Sequence, residues 1–154
     1  MRCPAPLVGG SVLALTLTLA ACTSDGDAAP NVTDVAVGDC LRAPAEVTAE
    51  VETVVRVACT EPHEQEAYAT VPVVDEAGAA IDTFPGDAWL KSFSDGVCAA
   101  AFEGYVGVDY RDSDLFFTYL QPNARGWGEG DREVLCLVTT TGEKLTASVK
   151  GSAA

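Results

Sequence analysis

The stretch TFPGDAWLKSFSDGVCAAAFEGYVG, Thr83 to Gly107, decides how the rest of the chain is read. Thr83–Asp87 carries helix start signals, with Pro85 in the first turn and the Asp87 carboxylate near the positive end. Leu90, Phe93, Val97, Ala101 and Phe102 then recur at helical spacing, and Tyr105 closes the stripe. Cys98 lies on this apolar side, while Lys91, Ser92, Asp95 and Glu103 face away. Gly104 or Gly107 is expected to end the helix. One long helix with one apolar stripe needs a partner surface, and the flanking sequence supplies strands.

Upstream, VETVVRVAC (Val51–Cys59) sets Val51, Val55, Val57 and Cys59 on one face of a strand and Glu52 and Arg56 on the other. Val35–Leu41 reads as a shorter strand bent at Gly38-Asp39. Glu66–Val74 is a third, and Pro72 within it favours an edge position. Asp75–Ala80 reads as a turn centred on Gly78. Downstream, Leu115–Leu120 is an aromatic strand. Pro122–Asp131 (PNARGWGEGD) is a glycine-rich loop, and Arg132–Thr140 an apolar strand. Lys144–Val149 is expected to close a hairpin through Thr141-Gly142. These elements predict an α+β fold, a mostly antiparallel sheet with one main helix packed on it.

Cysteines supply the staples. The chain has six. Cys3 falls in a leader segment and Cys22 at its end, which leaves Cys40, Cys59, Cys98 and Cys136. Four cysteines in an exported chain suggest two disulfides with three possible connectivities. No CxxC is present, which argues against a zinc ribbon or thioredoxin-like redox chemistry. Placement favours Cys40–Cys59 across neighbouring strands, and Cys98 on the helix bridging to Cys136 on the sheet.

The leader itself is Met1-Arg2 followed by an apolar run from Leu7 to Ala21, about 15 residues where a membrane-spanning helix needs roughly 20. It ends Leu19-Ala20-Ala21-Cys22, which is similar to a bacterial lipobox. Residues 1–21 are therefore expected to be a lipoprotein signal peptide, and Cys22 the lipidated first mature residue. Residues 22–35 follow as a flexible tether, and the domain spans 36–154. The expected location is the outer side of the cell membrane, held by acyl chains that each contribute about 0.8 kcal/mol per buried CH₂.

The leader holds one of the nine basic residues and none of the 23 acidic ones, so the mature chain has a formal charge of −15. Such a field repels phosphates, and nucleic-acid binding is excluded. The acids are scattered, which fits solubility better than one cationic partner.

Candidate chemistry is sparse. His63 is the single histidine, so sites built on several histidines are out. A mixed metal site of His63 with Glu64 and Glu66 is disfavoured, because in an extended segment those two carboxylates are expected to point to opposite sides. The plainer expectation is that Pro62-His63 shapes the turn after Cys59, with the imidazole bonded to backbone. A Ser-His-Asp triad lacks any accompanying nucleophile signature. Paired carboxylates suit glycoside hydrolysis, yet with 23 acids nothing marks a particular pair. Trp127 between two glycines reads as a lid over the core in preference to an exposed recognition ring. Asp131-Arg132 reads as a tie on the glycine-rich loop. No catalytic residue, cofactor or metal is expected.

Together, VGDCL (Val37–Leu41), VACTEPHEQEAYA (Val57–Ala69), FPG (Phe84–Gly86), C-x₃-F-x₂-YVG (Cys98–Gly107) and W-x₂-GDR-x₃-C (Trp127–Cys136) form a pattern. It resembles the septum formation-related domain of actinobacterial proteins, over nearly all of the folded part. The resemblance implies an exported or membrane-attached module linked to cell division, with no established catalytic activity. It also implies that His63, Glu64, Glu66, Asp131 and Arg132 share one surface or buried network. The expected role is a non-catalytic interaction or accessory module of the cell envelope that contacts the membrane through its lipid and another envelope protein through its domain. The alternatives are an envelope hydrolase using carboxylates and a small-ligand binder using Trp127 and the glycine loop.

Overall fold

The structure, a computed structural model, describes residues 31–44 and 51–154. The expected signal peptide (1–21), Cys22 and the expected tether up to residue 30 lie outside the described residues. Five strands form one antiparallel sheet: β1 (Cys40–Arg42), β2 (Val55–Val57), β3 (Gln65–Pro72), β4 (Phe116–Leu120) and β5 (Glu133–Thr139). Their order is β2-β1-β3-β5-β4. One long helix, α1 (Asp87–Val106), packs across β3, β4 and β5, and a short helix, α2 (Ala124–Gly128), sits before β5. This is the expected α+β arrangement.

Strand β5 shows why the sheet is buried on two sides. Val134, Cys136 and Val138 alternate toward the helix, where they meet Leu90, Cys98, Phe102 and Val106. Leu135 and Leu137 point the other way, to a second cluster with Val35, Leu41, Val54 and Ala67. Full burial of side chains such as Phe102 and Leu90 contributes about 1.5–3 kcal/mol each. Both disulfides join as placement predicted, Cys40 to Cys59 and Cys98 to Cys136. The second ties the inner stripe of α1 to the centre of β5.

Strand β3 departs from expectation. It lies between β1 and β5, not at an edge. Pro72 is tolerated because it is the strand's last residue, and the next amide, Val73, donates to the Arg132 carbonyl at 2.7 Å. A bulge between Ala67 and Ala69 leaves Tyr68 as the extra residue opposite β5. The bulge turns both Tyr68 and Ala69 toward the helix side, and the Tyr68 hydroxyl donates to the Cys98 carbonyl at 2.7 Å.

Three other expectations need correction. In the segment 51–59 the ladder strand is confined to Val55–Val57, and Val55 is 51% exposed while Val54 is buried. The residue outside the short edge ladder turns inward to the second cluster, so the assumed alternation fails. The tether was expected to reach residue 35, yet Asn31 bridges Thr53 and Val35 is buried in that cluster. Lys144–Val149 forms no ladder strand; Leu145 bridges His63, and the rest closes over the end of α1.

That end explains the C-terminal segment's course. Gly107, with φ of +97°, ends α1 in the left-handed conformation and returns its amide to the Glu103 carbonyl. The amides of Gly151 and Ala153 donate to the carbonyls of Tyr105 and Val106, at 2.8 and 2.9 Å. A helix leaves its last carbonyls without intrahelical partners. Here the chain's own final residues supply them.

Candidate functional site

The C-terminal end of α1 covers a buried polar centre. Glu66 projects from β3 on the helix side and is fully buried. Its Oε1 accepts from the Tyr105 hydroxyl and the Ser148 hydroxyl, both at 2.5 Å, and its Oε2 accepts from the Val149 amide at 2.8 Å. A carboxylate out of water needs such donors, and all three here are neutral groups. Burial first, and the Glu66 carboxylate second, hold the Tyr105 phenol well above its ordinary value.

His63 stands beside this centre, also fully buried. Its backbone amide and carbonyl both pair with Leu145, at 3.0 and 2.8 Å. Nδ1 lies 2.8 Å from the Glu61 carbonyl. A carbonyl only accepts, so Nδ1 carries the proton, and the imidazole is bonded to backbone beside the turn. Cys40 faces Glu66 across the β1–β3 pair. Cys40 Sγ, a ring nitrogen of His63 and a carboxylate oxygen of Glu66 lie within 4.8 Å of one another. The carboxylates of Glu64 and Glu66 diverge as expected, yet His63 and Glu66 share one side. A bend at Glu64 precedes β3, and it brings the two to one side.

Glu64 does not join them. Its carboxylate meets Lys144 at 2.6 Å and accepts from the Ala43 amide at 3.2 Å. The Lys144 ammonium lowers its pKa against the opposing pull of desolvation. Glu64 thus ties β1 to the C-terminal segment at the surface.

Trp127, Asp131 and Arg132 form a separate group near the start of α1. Trp127 is 4% exposed, donates from Nε1 to the Asp82 carbonyl at 3.0 Å and packs edge-on against Phe84. The Arg132 guanidinium lies 4.0 Å from the indole centroid and donates to the Trp127 carbonyl at 2.6 Å. Asp131 donates its amide to the Gly126 carbonyl, and its Oδ1 accepts from the Glu133 amide. The glycine-rich segment forms α2, capped by Asn123 accepting from the Gly126 amide at 2.8 Å, where a loop was expected. Its three glycines hide the helix from a propensity reading. Trp127 is a lid, and its ring is closed to a ligand.

The five residues implied as one network fall into separate places. The His63–Glu66 group sits at the C-terminal end of α1 and the Trp127–Arg132 group at its start, and a helix of 20 residues is about 30 Å long. Sequence reasoning missed Tyr105 and Ser148 as partners of Glu66, because they are 39 and 82 residues away along the chain. A groove of about 880 Å³ opens on the sheet face opposite α1, lined by Val35, Glu52, Leu120, Glu129 and Leu135 among others. Among the described residues no helix is long and apolar enough to cross a membrane.

Comparison with protein-family models matches the family described as septum formation over residues 37–154. The chain belongs to the septum formation family. The match takes in both disulfides, the buried polar centre and the Trp127 lid, so these are features of one septum formation domain. No curated protein and no solved structure matches this septum formation chain.

Proposed function

We propose that this protein is a membrane-anchored, extracytoplasmic lipoprotein whose septum formation domain acts as a non-catalytic accessory module of the cell envelope, in support of division. The observation that carries the non-catalytic reading is the state of Glu66. The most buried carboxylate among the described residues is engaged by three donors of its own chain and sealed beneath the C-terminal segment. A general acid or base must reach a substrate proton. Glu66 is instead a structural acceptor. The lipobox-like Leu19–Cys22 supports the anchor, and two disulfides fit an oxidising compartment. The groove opposite α1 is the candidate contact region for another envelope protein, and tethering raises the effective concentration for weak contacts there.

Cell fractionation tests the anchor. The wild-type chain should stay with the membrane and carry acyl mass on Cys22, and Cys22→Ala should release it. Unchanged membrane retention would remove the anchor. A fluorescent fusion should concentrate at division septa; an even distribution around the cell would remove the division role.

A further inference from the structure

The polar centre holds more lone pairs than the fold uses. His63 Nε2 is the buried side-chain nitrogen or oxygen that has no hydrogen-bond partner among the described residues. With Nδ1–H held by the Glu61 carbonyl, Nε2 is the ring atom that can offer a lone pair to a metal. A carbonyl bond of this kind is also what fixes and orients a metal-ligating imidazole. The Glu66 carboxylate receives only neutral donors. Cys40 Sγ, the third member, is bonded to Cys59, and the two sulfurs are therefore adjacent. Sulfur, imidazole and carboxylate converge in one buried place without a cation among the groups that bond to them.

We propose that this centre is a redox-gated zinc site. With the Cys40–Cys59 disulfide formed it binds no metal; opened, it holds Zn²⁺ through Cys40, Cys59, His63 Nε2 and Glu66. The opening step is thiol–disulfide exchange with a dithiol reductant. Two electrons and two protons pass to the protein sulfurs, the S–S bond breaks, and the reductant leaves as a disulfide. Zn²⁺ then displaces the two thiol protons to water. Oxidation by a disulfide reverses the sequence and expels the metal. Two thiolates, one imidazole and one carboxylate suit a tetrahedral, borderline-soft ion.

The geometry permits this. Adjacent ligands around tetrahedral zinc lie roughly 3.5 Å apart. The three groups, within 4.8 Å, therefore need to close by about 1 Å; rotation of the released Cys40 side chain shortens its own two distances, and side-chain adjustment of His63 and Glu66 must close the third. Access selects the same disulfide. Cys59 is partly exposed, whereas Cys98 and Cys136 are both fully buried, so a reductant reaches Cys59 first.

The test uses the purified chain, a phosphine reductant that does not compete strongly for metal, and Co²⁺ as a coloured probe. Alkylation mapping after mild reduction should label Cys40 and Cys59 before Cys98 and Cys136. The reduced chain should then show thiolate-to-cobalt charge transfer with intense tetrahedral d–d bands, lost when Zn²⁺ is added and absent from the oxidised chain. Zn²⁺ should raise the Tm of the reduced chain. His63→Gln should weaken binding at least tenfold, and the surface change Glu64→Gln should not. If His63→Gln fails to fold, X-ray absorption of the wild-type zinc form decides instead. Two sulfurs at about 2.3 Å with nitrogen and oxygen at about 2.0–2.2 Å support the site. No thiolate band, equal binding by the oxidised chain, or a shell of four sulfurs or of none overturns it.

Discussion

The Tyr105 hydroxyl and the Glu66 carboxylate meet at 2.5 Å beneath the C-terminal segment. The bond joins the last turn of α1 to the middle of the sheet. Ser148 donates to the same Oε1 from the other side, so helix, strand and C-terminal segment converge on one atom.

Removal of one donor should leave the carboxylate under-satisfied. Tyr105→Phe is expected to cost about 1–3 kcal/mol, and Ser148→Ala a similar amount. Because both serve one oxygen, the double variant should cost more than the sum of the two. Urea denaturation in a double-mutant cycle measures this. Additive costs would mean that Oε1 does not couple the helix to the C-terminal segment.

The two disulfides close loops with separations of 19 and 38 residues. In the chain-entropy model these contribute about 3 and about 4 kcal/mol. Against a typical stability of roughly 5–15 kcal/mol, loss of either is severe. Full reduction in the absence of metal should lower the Tm by well over ten degrees in a calorimetric scan. An unchanged melt would show that the cross-links do not support the fold.

Arg132 holds Trp127 by its flat guanidinium over the ring and by its bond to the Trp127 carbonyl. Arg132→Ala should destabilise the domain by about 2–3 kcal/mol and shift tryptophan emission to the red as the indole meets water. Arg132→Lys should recover only part, since an ammonium neither stacks nor forks. Full recovery by lysine would reduce the contact to simple charge.

Three tyrosines set the alkaline limit. Burial raises the pKa of Tyr68 and of Tyr119, and burial with the Glu66 carboxylate raises that of Tyr105. The folded chain therefore keeps these protons at a pH where the unfolded chain, near 10, gives them up. Stability is whole below about pH 10 and falls as pH rises through the raised values. Absorbance at the phenolate band should show these tyrosines ionising only above the ordinary range, with unfolding alongside. Normal titration of every tyrosine in a folded chain would contradict their burial.

Much of the domain was legible along the chain because its signals are local. The stripe Leu90–Tyr105 gave α1 its buried face, and Cys98 on that stripe gave the bridge to Cys136. The aromatic run at 116–120 and the apolar run at 133–139 gave two strands. Where local signals compete, the reading failed. Pro72 looked like an edge marker but only ends β3, and the glycines of 124–128 concealed a capped helical turn.

By itself the sequence determined the leader-like segment, the acidity, the one long helix and the number of staples, since each rests on composition or short-range period. Tertiary structure alone decided that β3 runs through the sheet's interior and that Asn31–Val35 belong to the domain. It also decided that Glu66 meets Tyr105 and Ser148. Hydrogen bonds between groups 39 and 82 residues apart leave no periodic trace in the chain. The bulge at Tyr68, the bend at Glu64 and the fold-back of the last residues bring those partners together, and each of these follows from packing rather than from propensity.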